Sequence, residues 1–278
     1  MPAVKPCRAF ELDALRGLAL LMMVLHHFIF DLRYLLGLDV FAFQETWWFA
    51  NLLRPTFLNV FLVVSGICCT FSRSNTKRGV RLLAVALAFT AVTTLVSRLT
   101  GQEFYILFNV LHVLAFGTLL YAGLTFSEWV KTQTGQERVT AGDRQEAAPL
   151  SNPGQKNPAV DVLLIVMAAV LIYFGSLMPH WQDAGSWLLL PIGLPPVPGV
   201  AMADYLPIIP WLGFFLVGAL IGRIAYSDRC SAFPNAPRLV LQLSRPLESM
   251  GRHSLVVYAV HQPVLLAILF GLRALGVI

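Results

Sequence analysis

Long runs of apolar positions, broken by short polar segments, dominate the chain. Seven runs approach the roughly 20 residues that a membrane-spanning helix needs: 12–36, 47–71, 80–96, 104–126, 160–178, 206–226 and 253–272. They predict an all-α, polytopic membrane bundle of about seven helices in a single domain over 1–278. No strong internal repeat accompanies them, which weakens an inverted-repeat transporter architecture. Residues 127–159 are polar, carry charges of both signs, and read as a mobile connector. Residues 179–205 lack Lys and Arg and hold Pro191, Pro195, Pro196 and Pro198, so they cannot form a continuous helix.

Charge then orients the chain. Of the 20 Lys and Arg residues, only Arg33, Arg54, Arg98 and Arg273 fall on one side of the alternating loops, leaving 16 on the other. The positive-inside rule therefore predicts a cytoplasmic N-terminus, with 127–159 inside and 179–205 outside. Cys7, Cys68, Cys69 and Cys230 all map to the inner side, where reduced thiols and no disulfide framework are expected. The first run lacks a small-residue cleavage site behind a compact apolar core, so it reads as a retained helix.

Composition agrees and excludes several classes. The 278 residues are 57% hydrophobic and only 13% charged, with a mean hydropathy of +0.69. A soluble enzyme, a disulfide-stapled scaffold and a disordered regulator are all excluded by so little polar surface. The net charge of +5 follows from loop topology and does not call for a nucleic-acid partner. Membrane lipid is the implied surrounding, in the cell's inner (plasma) membrane.

Ionisable groups at bilayer depth are costly, so each is a functional candidate. At 100° per residue, Asp13, Arg16, His27 and Asp31 share one helical face. His27 lies roughly 16 Å beyond Arg16, and Asp31 follows one turn later, where its carboxylate can hold the imidazole as a general base. A polar pair that merely fixes helix packing is the alternative. Asn109 and His112 lie one turn apart at a similar expected depth, with Arg54 and Asn59 on the second run. His261 precedes Gln262 and Pro263, whose ring is expected to kink the last helix. Trp211 starts the sixth run and Asp204 lies just outside it, as acceptor-binding candidates. Arg73, Lys77, Arg78 and Arg81 cluster on the inner side, where phosphates of a nucleotide-like molecule would be held, although topology alone explains such a cluster. No GxxxxGK[ST], HExxH or CxxC pattern occurs, and no metal site is expected.

RAFELDALRGLA at 8–19 with His27 and Asp31, FLVVSG at 61–66, FNVLH at 108–112, PWLG at 210–213, GRHSL at 251–255 and HQP at 261–263 together resemble the heparan-alpha-glucosaminide N-acetyltransferase-like membrane family, as a bacterial-type member. The resemblance implies transfer of an acetyl group from cytosolic acetyl-CoA to an amino sugar or other glycan acceptor at the outer face, and a homodimer. It implies His27, Asp31 and His112 as catalytic candidates. Arg54, Asn59, Asn109, Asp204, Trp211 and His261 are the acceptor side, and Arg16, Arg73, Arg78, Arg81 and Arg252 the acetyl-CoA side. The animal members use a histidine in the outer loop before the second span; this chain has none there, and carries His27 where they carry asparagine. Direct transfer and an acetyl-histidine intermediate are both compatible with these residues, and a transporter or flippase for a lipid-linked or anionic solute is the competing class.

Overall fold

The computed structural model describes residues 9–101, 105–128, 130, 156–178, 185–196, 202 and 204–277. They are helical, with no strand among them beyond an isolated bridge between Tyr105 and Met202. The α-helices that lie wholly within the described residues are, in order, α1 (Phe10–Phe30), α2 (Arg54–Cys69), α3 (Asn75–Thr100), α4 (Val110–Leu124), α5 (Pro158–Leu177), α6 (Trp211–Ile224), α7 (Arg238–Arg252) and α8 (Ser254–Ala274). A π-helical turn at Asp31–Leu35 prolongs α1, and another at Phe49–Leu53 leads into α2.

Five helical segments among the described residues are long and apolar enough to cross a membrane: Phe10–Leu35, Phe49–Cys69, Asn75–Thr100, Pro158–Leu177 and Ser254–Ala274. Helices α4 and α6, within the expected fourth and sixth spans, have 15 and 14 residues. At 1.5 Å per residue each covers about 22 Å, short of the ~30 Å hydrocarbon core. The shortening has local causes. Asn109 leaves helical geometry to cap α4 through its side chain, and Pro207 and Pro210 hold off the start of α6 until Trp211. The third span instead runs longer than its apolar run, because Ser74 caps it early, accepting from the Lys77 amide, and Gly101 ends it in a left-handed turn.

The chain divides into two compact units, Met1–Val64 with Arg229–Ile278, and Ser65–Asp228. In the first, α7 packs along α1 at backbone distance. A Cβ on Gly17 would lie 1.9 Å from the Leu247 carbonyl oxygen, and one on Gly251 would lie 1.9 Å from that of Asp13. Only glycine permits this approach. Glu11, buried at the start of α1, accepts from the Ser231 hydroxyl and the Ala232 amide, each at 2.7 Å, and so ties down the segment before α7. That segment carries Cys230, which is disulfide-bonded, while Cys68 and Cys69 remain thiols. The expectation of four reduced cysteines is thus corrected: sequence spacing does not report that the Glu11 contacts bring Cys230 to the N-terminal end of α1.

In the second unit, α4 and α6 meet through Gly117, against the Phe215 ring, and α6 approaches Ala168 on α5 through Gly213. Phe215, Leu216 and Leu164 are fully buried there. Small residues at the crossings fit membrane helices, where packing replaces hydrophobic collapse as the driving force.

Candidate active site

Helix α1 carries His27 to within ring contact of His261 on α8. Their ring centroids are 4.9 Å apart in an edge-to-face arrangement at 77°. Each ring is held by a carbonyl of its own helix: His27 Nδ1 lies 2.9 Å from the Met23 oxygen, and His261 Nδ1 lies 2.7 Å from the Tyr258 oxygen. A carbonyl only accepts, so both Nδ1 atoms carry the proton, and in the neutral rings Nε2 bears the lone pair. A general base requires that tautomer. The sequence suggested Asp31 as the group that orients His27; in the structure the Met23 carbonyl does so.

Asp31 is buried and engaged differently. Its carboxylate accepts from Gln262 Nε2 at 2.9 Å, one residue beyond His261. Two adjacent residues of α8 thus address two positions of α1 one turn apart, giving a polar layer of two imidazoles, a carboxylate and an amide. Helix α8 runs on through Pro263, although that residue has no N–H for the Ala259 carbonyl. His26, next to His27 but on another face, lies among Phe30, Phe49 and Phe57.

Other candidates of the first unit lie apart from this layer or touch different groups. Arg16 Nη1 donates to the Gly251 carbonyl at 3.3 Å, at the α1/α7 crossing. Arg252 is exposed, and its Nε donates to the Glu248 carbonyl at 3.2 Å. Arg54 is exposed at the start of α2. Asn59 is half-buried, and its Oδ1 meets no hydrogen-bond donor among the described residues.

The second unit holds the remaining candidates. Asn109 and His112 form a reciprocal cap: Asn109 Oδ1 accepts from the Leu111 amide at 3.1 Å, and His112 Nδ1 accepts from the Asn109 amide at 3.2 Å. His112 also stacks on Phe108, with centroids 4.8 Å apart. The same Nδ1 lies 3.0 Å from Asn109 Oδ1, so in either tautomer this ring nitrogen is committed to helix architecture. Arg73 and Arg81 are exposed, and Arg78 is half-exposed, around the start of α3. Asp204 is exposed with a φ of 57°. Its neighbour Tyr205 donates its hydroxyl to the Leu190 carbonyl at 2.6 Å, and burial pushes that hydroxyl up to about 12, so it stays protonated at neutral pH. Trp211 opens α6 with its ring tilted against Phe214.

Two features were missed in the sequence. Gln262 sits between the more conspicuous His261 and Pro263 and carries no charge to single it out. Arg223, buried at the end of α6, pairs with both oxygens of Glu128 at 2.9 Å and also with Asp161, while Lys156 donates to its carbonyl. A buried arginine demands carboxylate partners, and that demand was the available signal.

The sequence model of the family described as heparan-alpha-glucosaminide N-acetyltransferase, catalytic, matches residues 8–136 and 157–263. No curated protein and no solved structure matches the chain.

Proposed function

The chain belongs to the heparan-alpha-glucosaminide N-acetyltransferase catalytic family, and on that premise we propose that this membrane acyltransferase takes an acetyl group from acetyl-CoA on the cytoplasmic side and delivers it to an amino sugar or related glycan at the outer face. The family match enters both structural units, and one acyltransferase domain of the inner (plasma) membrane is the proposed functional entity.

The observation that carries the mechanism is the fixed tautomer of His27, with Nδ1 held by the Met23 carbonyl and the ring against His261. In the proposed reaction, His27 Nε2 takes a proton from the acceptor amine or hydroxyl as that atom attacks the thioester carbonyl carbon. The new C–N or C–O bond forms, the C–S bond breaks, and CoA leaves as the thiolate, which takes up a proton. His261 accompanies the base and binds acceptor. Asp31, held by Gln262, supplies negative charge that favours the imidazolium formed in the transition state. Within the unit that holds His27, Arg54 donates to the developing oxyanion and Asn59 contacts the acceptor; Asn109, Asp204 and Trp211 are the acceptor-side candidates of the second unit. Arg73, Arg78 and Arg81, with Arg16 and Arg252, are proposed to meet the CoA phosphates. His112 takes second place as a base, because its Nδ1 is committed to the cap of α4.

The test is CoA thiol release by purified protein in nanodiscs, with acetyl-CoA and glucosamine. Glucosamine-dependent release that falls by roughly 10²- to 10⁴-fold in His27→Ala, with acetyl-CoA binding retained, is the expected result. No release by the wild type with amine or hydroxyl acceptors rejects the proposal.

A further inference from the structure

Helix α7 is unlike the other helices of its unit. At 100° per residue, Leu239, Leu243, Pro246 and Met250 fall within an arc of about 60°, and Arg238, Arg245 and Arg252 within one of about 40°, roughly 130° away. A third arc, with Leu247 and Gly251, is the one pressed against α1. The apolar arc is not used inside the protein: Leu239 is 65% and Leu243 is 68% exposed. Nearby, Phe10, Phe233, Pro234, Pro237 and Val240 line an apolar groove of about 590 Å³.

The occupant follows from position and charge. Helix α7 ends at Arg252 and α8, long and apolar enough to cross a membrane, begins at Ser254, so the apolar arc lies directly before a membrane-length helix. Cations beside an exposed apolar stripe, at the end of a membrane span, match the boundary between acyl chains and phosphate headgroups. We propose that α7 is an interfacial helix that binds anionic phospholipid, with Leu239, Leu243 and the neighbouring groove against the acyl chains and Arg238 and Arg245 on the headgroup phosphates. Neither arginine belongs to the acetyl-transfer site, so this binding is separable from catalysis.

The experiment is amide hydrogen exchange on the full chain in nanodiscs of phosphatidylcholine alone and of an equal mixture with phosphatidylglycerol. In the mixture, exchange across residues 238–250 is expected to slow roughly tenfold. Arg238→Gln with Arg245→Gln is expected to abolish that difference while leaving the melting temperature in phosphatidylcholine unchanged. Leu239→Glu with Leu243→Glu is expected to remove protection in both lipids, and should this variant fail to fold, the arginine pair decides. Equal exchange in both lipids overturns the proposal, as does a lipid difference that survives in the arginine variant. Protection that follows protein-to-lipid ratio rather than lipid charge assigns the stripe to a second copy of the chain, and also overturns it.

Discussion

His27 and His261 acquire their meaning from two backbone carbonyls. Because Met23 and Tyr258 fix both Nδ1 protons, the lone pairs lie on Nε2 in the neutral rings. A His27→Gln substitution, which keeps polarity and removes basicity, is therefore expected to behave like His27→Ala in turnover. His112→Asn is expected to lower thermal stability by about 1 kcal/mol through its cap and to leave a larger share of activity. The readout is kcat for acetyl transfer beside the melting temperature. Gln262→Leu removes the donor from the buried Asp31 carboxylate. That should cost about 1–3 kcal/mol of stability, measured as a lowered melting temperature, and Gln262→Asn tests whether amide reach matters. Much of this layer was legible in sequence: His27, Asp31 and His261 stand out as ionisable or polar groups inside apolar runs. The pairing of His27 with His261 was not, because nothing in residue spacing reports which faces of α1 and α8 meet. Nor was the orienting carbonyl, since every residue carries one.

At the scale of elements, a helix falls on each of the seven apolar runs, five of these helices being long enough to cross a membrane, and three lengths differ from the runs. Hydropathy senses side chains, whereas Asn109, Pro210 and Ser74 set helix ends through the backbone. The close crossing of α1 and α7 was equally hidden, because the sequence shows Gly17 and Gly251 without showing what faces them. Valine at either glycine would drive a side chain into a backbone oxygen. Gly17→Val and Gly251→Val are each expected to destabilise by about 3 kcal/mol or more, visible as loss of monodisperse protein after detergent extraction. The cluster around Arg223 makes a second prediction. Burial alone would raise the Glu128 carboxyl, but the Arg223 hydrogen bonds, the Asn157 amide and the charges of Arg223 and Lys156 hold it below its ordinary value of 4.5. A depressed carboxylate contributes stability that is present above 4.5 and lost as pH falls through its lower folded value. Melting temperature should therefore be flat above about pH 5 and decline on further acidification, and Glu128→Gln should start lower and decline less.

For the whole molecule, membrane residence and the acyltransferase family rest on five membrane-length helices and on a family match through both units. The proposed orientation, with a cytoplasmic N-terminus, rests on the 16-to-4 distribution of Lys and Arg. The Cys230 disulfide points the other way, since such bonds persist in oxidising compartments. Sixteen cations outweigh one bond, and Cys68, a thiol at the inner end of α2 in this orientation, is expected to react in intact cells with permeant but not impermeant maleimide. Labelling by the impermeant reagent reverses the orientation. The proposed acetyl transfer across the membrane is tested in sealed proteoliposomes with acetyl-CoA outside and glucosamine inside. N-acetylglucosamine is expected in the lumen in step with CoA thiol released outside, both lost in His27→Ala. Glucosamine escaping without thiol release, or no acetylated product in the lumen, contradicts it.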